Sequence, residues 1–278
     1  MPGRRASVVA MSHLSAPSTA ALRAVLATRY VLALREGGSL PGLVEADDDG
    51  MYVVKFTGAG QGRKALVAEV ICARLAGALG LRVPELVLVE VDPRLGLTEP
   101  DQEVQDLLRA SPGPNLGVDY LPGALGFDAA VDPVDARTAA AVVWFDALVH
   151  NVDRSWRNPN LLRWHGDMWL IDHGAALWFA HSWERRAGAA LRAYPQVAEH
   201  VLLGAAGPIP DLAEELALQL SEDVVRSAAA AVPEPWLADE PGFQSPGAVR
   251  EAYIEVLLER LATPQAWVPQ LEAARAHV

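Results

Sequence analysis

Acidic and amide side chains gather in one short stretch, residues 151–160, where their types and spacing suit a site for a hard cation. Asp153 is followed five residues later by Asn158, and the stretch lies between a predicted helix over 133–150 and a predicted strand over 161–164. Carboxylate and amide oxygens are the ligands that Mg²⁺ prefers, and bound Mg²⁺ commonly contacts phosphate oxygens. The stretch therefore predicts a loop that holds a magnesium ion.

A hairpin after this loop is predicted to return a second carboxylate to it. Two apolar runs, 161–164 and 168–172, flank a short polar turn, a combination typical of two antiparallel strands. With the turn centred on Gly166, residues whose numbers sum to 332 face each other, which places Asn160 opposite Asp172. We therefore expect Asp172 to act as a further magnesium ligand.

A lysine and a glutamate in the first half of the chain are predicted to form a pair. Lys55 ends an apolar strand, and Glu69 interrupts the apolar residues of a helix predicted over 64–79. A lysine in such surroundings needs an anionic partner, and a strand lysine paired with a helix glutamate positions nucleotide phosphates in kinases. A glycine turn precedes the pair, and its backbone N–H groups can bind phosphate: Gly37, Gly38 and Ser39.

In their order along the chain, these features resemble those of the HipA-like kinases and, more distantly, of the phosphatidylinositol 3- and 4-kinases. The shared pattern is a glycine turn, Val-Val-Lys55, Glu69, Asp153 with Asn158 five residues later, a hairpin, and Ile171-Asp172-His173-Gly174. The resemblance covers roughly residues 30–180. It implies an α+β, two-lobed, protein-kinase-like fold with a small β-rich N-lobe and a larger helical C-lobe.

The resemblance also implies ATP and Mg²⁺ as cofactors and gives each residue a role. Asp153 would orient the hydroxyl nucleophile and accept its proton, while Asn158 and Asp172 would hold Mg²⁺. Lys55 would contact the ATP phosphates and pair with Glu69. The adenine would bind at the hinge between the lobes, which is expected at Asp119, Tyr120 and Leu121.

The metal motif is Asp-His-Gly instead of the Asp-Phe-Gly of protein kinases, and a position near Asp153 also departs from the family pattern. Two residues after the catalytic aspartate, protein kinases usually carry lysine, and HipA-like and lipid kinases carry histidine. This chain carries Ser155, and Arg157 is the candidate to supply the missing positive charge.

The leading prediction is phosphoryl transfer from ATP to a serine or threonine hydroxyl of a protein. A lipid or small-molecule alcohol is the alternative acceptor. Because a missing cation could lower the rate greatly, a nucleotide-binding pseudokinase with a regulatory role is a second class. Nucleotidyl transfer, which leaves AMP on the target, is a third.

Periodicity and turn residues divide the chain into three predicted parts. Residues 1–29 form a tail with a short helix over 18–28, residues 30–121 form the N-lobe, and residues 122–278 form the C-lobe with the catalytic loop. Strands of the N-lobe are expected at 30–34, 43–46, 51–56, 86–91 and 118–121.

The composition argues against several classes of function and location. The 278 residues carry 23 lysines and arginines against 35 aspartates and glutamates, a net charge of −12 that disfavours nucleic acid and anionic lipid as partners. A single cysteine excludes an internal disulfide and a cysteine-based zinc site. No apolar run is long enough to predict a transmembrane segment, and the N-terminus lacks the apolar core of a signal peptide. The expected location is the cytoplasm.

Overall fold

The computed structural model describes residues 21–34 and 40–278. The predicted phosphate-binding turn lies outside these ranges. The strands are β1 (Arg23–Ala33), β2 (Gly42–Ala46), β3 (Met51–Lys55), β4 (Leu86–Val91), β5 (Gly113–Asp119), β6 (Leu125–Gly126), β7 (Leu161–Trp164) and β8 (Asp167–Leu170). The α-helices are α1 (Gly62–Ala78), α2 (Gln102–Ala110), α3 (Ala136–Leu148), α4 (Pro210–Gln219), α5 (Glu222–Ala230), α6 (Glu234–Leu237), α7 (Pro246–Ala262) and α8 (Val268–Arg275). Short 3₁₀ helices cover 93–98, 178–185, 189–191, 195–199, 203–205 and 264–266.

Five strands of the N-terminal half close into a barrel in the order β1-β2-β3-β5-β4. Neighbouring strands are antiparallel except β1 and β4, whose parallel pairing closes the barrel. The predicted hairpin at Asp49-Gly50 is confirmed, because β2 and β3 pair on either side of it. Apolar side chains fill the interior, among them Val44, Val54, Phe56, Val87 and Val89.

The prediction of a helix over 18–28 is wrong for the residues that the structure describes, since 23–28 belong to β1. Val25 and Ala27 are buried while Leu26 is exposed, which is the two-residue alternation of a strand. Alanine and leucine favour helix locally. Pairing with β2 on one edge and β4 on the other overrides that preference.

The helix that follows β3, α1, shares its apolar core with the C-terminal half. Its Leu66 and Val70 lie in one continuous core with Phe145 of α3 and Leu257 of α7. The interior of the barrel forms a separate core. The helix ends before Gly80, whose φ of 73° is in the left-handed region that favours glycine. The sequence thus places α1 within the N-lobe, whereas its packing joins it to the C-lobe.

The C-terminal half is helical apart from a small sheet of β6, β7 and β8. Its central helix, α3, is buried from Ala139 to Leu148. The predicted α+β fold, with a β-rich N-lobe and a helical C-lobe, is confirmed. Within the described ranges, no helix combines the length and the apolar character that crossing a bilayer requires.

The β7–β8 hairpin forms, but its register differs by one residue from the prediction. Paired residues run from Leu161 opposite Leu170 to Trp164 opposite Asp167, so their numbers sum to 331. The turn therefore contains two residues instead of being centred on one.

Those two residues, His165 and Gly166, both have positive φ, at 49° and 86°. This is the backbone geometry of the tight turns that match the twist of a β-hairpin. Asn160 consequently faces Ile171, whose N–H donates to the Asn160 carbonyl over 3.1 Å, and the predicted placement opposite Asp172 is wrong.

Candidate active site

A cleft of about 510 Å³ lies between the barrel and the C-terminal half. Ligand pockets in proteins commonly have this size. Apolar side chains form much of its wall, including Val53, Leu86, Leu162 and Leu170. Six of the predicted site residues also line it: Lys55, Glu69, Asp119, Tyr120, Leu121 and Asp172.

Lys55 contacts two carboxylates in this cleft. It forms an ion pair with Glu69, and its Nζ donates to Asp172 Oδ1 over 2.7 Å. Burial lowers the pKa of Lys55, but the charges of Glu69 and Asp172 outweigh burial and hold this pKa above its usual value. Since an ammonium has three N–H donors, Lys55 is a fixed cation with one donor left for a ligand.

Glu69 connects α1 with the strand of Lys55 and with the segment after β8. Its Oε1 pairs with Lys55, and its Oε2 accepts the backbone N–H of His173 over 2.9 Å. Only 4% of the Glu69 side chain is exposed. Burial raises the pKa of Glu69, but the Lys55 charge and the contacts with His173 outweigh burial and keep this pKa below its usual value. The ionised carboxylate therefore holds three elements together.

The predicted hinge runs along the cleft wall where β5 ends. The Asp119 N–H donates to the Glu85 carbonyl over 2.8 Å, and the Tyr120 N–H donates to the Met51 carbonyl over 3.0 Å. Burial, followed by the charge of Glu85, raises the pKa of Asp119. These bonds fix the hinge backbone beside the cleft.

In the loop over 151–160, two amides hold Asp153. Asn158 Nδ2 donates to Asp153 Oδ2 over 2.9 Å, and Asn160 Nδ2 lies 3.3 Å from the same oxygen and 2.8 Å from the Asp153 carbonyl. Because Oδ2 is bound twice, Oδ1 is the oxygen best placed to accept a proton. Asn160 is a site residue that the sequence did not predict, and its φ of 48° is unusual for a residue other than glycine.

A buried network of charged and polar side chains holds this loop against α3. Asp146 Oδ2 lies 2.5 Å from Arg154 Nε and 3.0 Å from His200 Nε2, and its Oδ1 accepts from Asn151 Nδ2 over 2.9 Å. Burial raises the pKa of Asp146, but the Arg154 charge and the bonds from His200 and Asn151 outweigh burial and keep this pKa low. The Asp146 and Arg154 side chains are both fully buried, so each charge compensates the other.

Arg154 also links the loop over 151–160 to the segment of Asp172. Its Nη1 donates to the Asn160 carbonyl and lies 3.5 Å from the Ile171 carbonyl. Since Ile171 precedes Asp172, one guanidinium braces both parts of the site. The signal for this network is an acidic residue, Asp146, inside an otherwise apolar helical stretch.

Asn158 and Asp172 each retain an oxygen for a cation. Asn158 uses its Nδ2 on Asp153, which leaves its Oδ1, and Asp172 uses Oδ1 on Lys55, which leaves its Oδ2. An amide and a carboxylate oxygen form a donor set that suits Mg²⁺. The two residues therefore supply the donor types that the predicted magnesium site requires; Asp172 lines the cleft, whereas Asn158 is not among its lining residues.

Arg157 is turned toward the protein surface. Its Nη1 lies 3.1 Å from Glu199 Oε2, and its guanidinium stacks over the Trp156 ring at 4.1 Å. Both members of the ion pair are more than half exposed. In this arrangement, Lys55 is the only lysine or arginine among the described residues that line the cleft.

Comparison with known proteins decides the family. The sequence profile of the HipA-like kinases matches residues 29–270, which is most of the chain. The chain belongs to the HipA-like kinase family. This membership confirms the resemblance carried by the motifs and supports a kinase that transfers a phosphoryl group. A search of curated proteins finds no match for this HipA-like kinase.

Several solved kinase structures are similar to it at low identity. The Helicobacter pylori proinflammatory kinase CtkA has 11% identity and a TM-score of 0.48, over 93% of this chain and 99% of that one. The Golgi casein kinase has 12% identity and a TM-score of 0.39, over 88% of this chain and 72% of that one. Its structure with Mn/ADP bound has 11% identity and a TM-score of 0.40, over 89% and 74%.

Proposed function

We propose that this HipA-like kinase uses ATP and Mg²⁺ to phosphorylate a serine or threonine hydroxyl of a protein. The observation that carries the proposal is the Lys55 cation held between Glu69 and Asp172 in the cleft. The same three groups, in the same order along the chain, position nucleotide phosphates in kinases.

The nucleotide is bound by residues from both halves of the molecule. Lys55 donates to the phosphates, and the hinge residues from Asp119 to Leu121 hold the adenine. Asn158 and Asp172 hold Mg²⁺, which when bound neutralises negative charge on the phosphates.

The acceptor is activated by Asp153. Its Oδ1 accepts the hydroxyl proton as the new O–P bond forms and the bond between the γ-phosphorus and ADP breaks. Asn158 and Asn160 keep the carboxylate oriented through Oδ2. Asp153 is thus a catalytic residue and Asn160 a positioning residue.

Two exposed apolar side chains beside Asp153 favour a polypeptide acceptor. Val152 is 40% exposed and Trp156 is 62% exposed. Arg157 stacks over the Trp156 ring, and the apolar surface that Val152 and Trp156 still expose suits an extended chain that presents its own hydroxyl. A lipid or small-molecule alcohol remains the alternative acceptor.

A second candidate is a nucleotide-binding pseudokinase with a regulatory role. Ser155 supplies no charge, and Arg157 is engaged by Glu199. For Arg157 to serve as the catalytic cation, it must leave Glu199 and reach the phosphates. If it does not, ATP binds while transfer is slow.

Intact-mass spectrometry after incubation with Mg²⁺–ATP tests the proposal, with Asp153→Asn as the catalytic variant and Asp167→Asn as the matched control. Asp167 lies at the β7–β8 turn and pairs with Arg82 on the surface. We expect a phosphate-sized gain with ADP release in the wild type and the control, and none in Asp153→Asn. An AMP-sized gain would establish nucleotidyl transfer instead. ATP binding without turnover in any protein would establish the pseudokinase.

A further inference from the structure

Residues 235–240, here called the clasp, contact strand β5 of the barrel and the N-terminal end of α1. Trp236 Nε1 donates to the carbonyl of Pro114, in strand β5 of the barrel, over 3.1 Å. Arg63, in the first turn of α1, donates through Nη1 to the carbonyl of Pro235 over 2.7 Å. The clasp therefore touches both the barrel and the helix that carries Glu69.

Lys64 adds a charged contact to the clasp. Its Nζ lies 2.7 Å from Glu240 Oε1 and donates to the Ala180 carbonyl over 2.8 Å. Both charged side chains are more than two-thirds buried, so solvent screens the pair less than it screens most surface pairs. Ala180 lies eight residues after Asp172 along the chain. The Lys64 ammonium therefore links α1 both to the clasp and to the segment that follows Asp172.

The clasp is itself held firmly in the C-lobe. Trp236 and Leu237 are almost completely buried. Just after the clasp, the Phe243 ring packs edge-on against Trp183, with ring centroids 5.1 Å apart. The contacts that the clasp makes with β5 and α1 therefore fix these two elements relative to the C-lobe core.

We infer that the clasp is a positioning element for the nucleotide site. Lys55 belongs to a barrel strand, whereas Glu69 belongs to α1, which packs into the C-lobe core together with Leu116 of β5, so their ion pair joins elements of two hydrophobic cores. The hinge and the loops before and after α1 connect these bodies covalently, and the clasp adds a contact to the barrel through Trp236 and a contact to α1 through Lys64. The contact of Lys55 with Glu69 and Asp172 then depends on how the clasp seats the barrel. This inference rests on the proposal that the cleft binds ATP.

Four variants, one of them a control outside the clasp, separate this role from general stability. Trp236→Phe removes the N–H donor and keeps an aromatic ring. Lys64→Met removes the charge, whereas Lys64→Arg conserves it and serves as the conservative rescue. Glu251→Gln is the matched control, because Glu251 forms a two-bond pair with Arg226 inside the C-lobe, at 2.9 and 3.0 Å, and touches neither clasp nor cleft.

The rate of ATP dissociation is measured by stopped flow with a fluorescent ATP analogue. This rate belongs to the folded molecules, so a smaller folded fraction does not change it. Losing one hydrogen bond or one partly buried ion pair predicts dissociation about three- to tenfold faster in Trp236→Phe and Lys64→Met. Lys64→Arg and Glu251→Gln are expected to match the wild type.

Hydrogen exchange without nucleotide gives a second readout. We expect faster exchange in the first turns of α1 and in β5 for Trp236→Phe and Lys64→Met only. The inference would be overturned if hydrogen exchange and ATP dissociation in Trp236→Phe and Lys64→Met matched the wild type. It would also be overturned if Glu251→Gln accelerated both to the same extent. If the wild type binds no ATP, the proposed function is contradicted. Hydrogen exchange at α1 and β5 would then still test whether the clasp positions these elements.

Discussion

The two ends of the candidate site are built differently. At the nucleotide end, Lys55, Glu69 and Asp172 form a charge cluster in which the first two side chains are largely buried. At the acceptor end, Asp153 sits in a loop, and Arg157, the predicted catalytic cation, pairs with Glu199 on the surface.

This difference separates binding from chemistry. The nucleotide end is organised before ligand arrives, because Glu69 and Asp172 already hold Lys55 in place. At the acceptor end, the proposed base Asp153 is oriented by Asn158 and Asn160, but no second cation is present among the described residues that line the cleft. We therefore expect ATP binding to be robust and phosphoryl transfer to be slow for a kinase.

Removing the proposed base is expected to give the largest effect, because it changes the acceptor end and leaves the nucleotide end intact. Asp153→Asn should lower the transfer rate by about 10²–10⁴, since the carboxylate no longer accepts the hydroxyl proton. Single-turnover assays with radiolabelled ATP measure it. A loss below tenfold would show that Asp153 is not the base.

The buried network of Asp146, Arg154 and His200 supports the loop of the acceptor end, so a change in it is expected to lower stability. Arg154→Met leaves Asp146 buried without its main cation and should lower the free energy of unfolding by about 3–5 kcal/mol. Arg226→Met, which breaks an exposed pair, should cost under about 1 kcal/mol. Urea denaturation of both variants is the measurement, and equal losses would contradict the role of the network.

The pH dependence of stability probes the nucleotide end. Because the folded-state pKa of Glu69 is held below its ordinary value of 4.5, Glu69 stabilises the fold above that pH, and this contribution is lost as the pH falls toward the folded-state pKa. The stability gap between the wild type and Glu69→Gln should therefore narrow between pH 7 and pH 3.5. Urea denaturation across this range measures the gap. The pH-dependent contribution of Asp146 to stability cancels in this difference, because both proteins contain Asp146. A gap that stays constant or widens would argue against the charged pair.

The smallest expected effect concerns Arg157. Arg157→Gln breaks an exposed pair and should change the free energy of unfolding by under about 1 kcal/mol. If the arginine stays on Glu199, the transfer rate should stay within about threefold of the wild type. A hundredfold loss with unchanged ATP affinity would instead make Arg157 the catalytic cation that its sequence position suggested.

Much of the nucleotide end could be predicted from the sequence because its signals are local. An apolar strand ending in Lys55 and an apolar helix interrupted by Glu69 each stand out in a short window. The hairpin was also predictable, but its register was not. Assigning one residue or two to the turn shifts every partner by one, so Asn160 faces Ile171.

The remaining features depend on long-range packing. Residues 23–28 have helical composition, and only the sheet partners β2 and β4 make them a strand. His200 reaches Asp146 across 54 residues, and no local pattern predicts that contact. The same holds for α1, whose place in the C-lobe core follows from tertiary contacts.

Calorimetric titration of Mg²⁺–ATP into three proteins tests the separation of the two ends most directly. We predict that the wild type and Asp153→Asn bind with dissociation constants equal within about twofold, since the base makes no contact with Lys55 or the hinge. Lys55→Met should weaken binding by about 10–100-fold, because a charge-assisted contact to the phosphates is lost. Undetectable binding in the wild type, or equal binding in wild type and Lys55→Met, would contradict the assignment of the cleft as the nucleotide site.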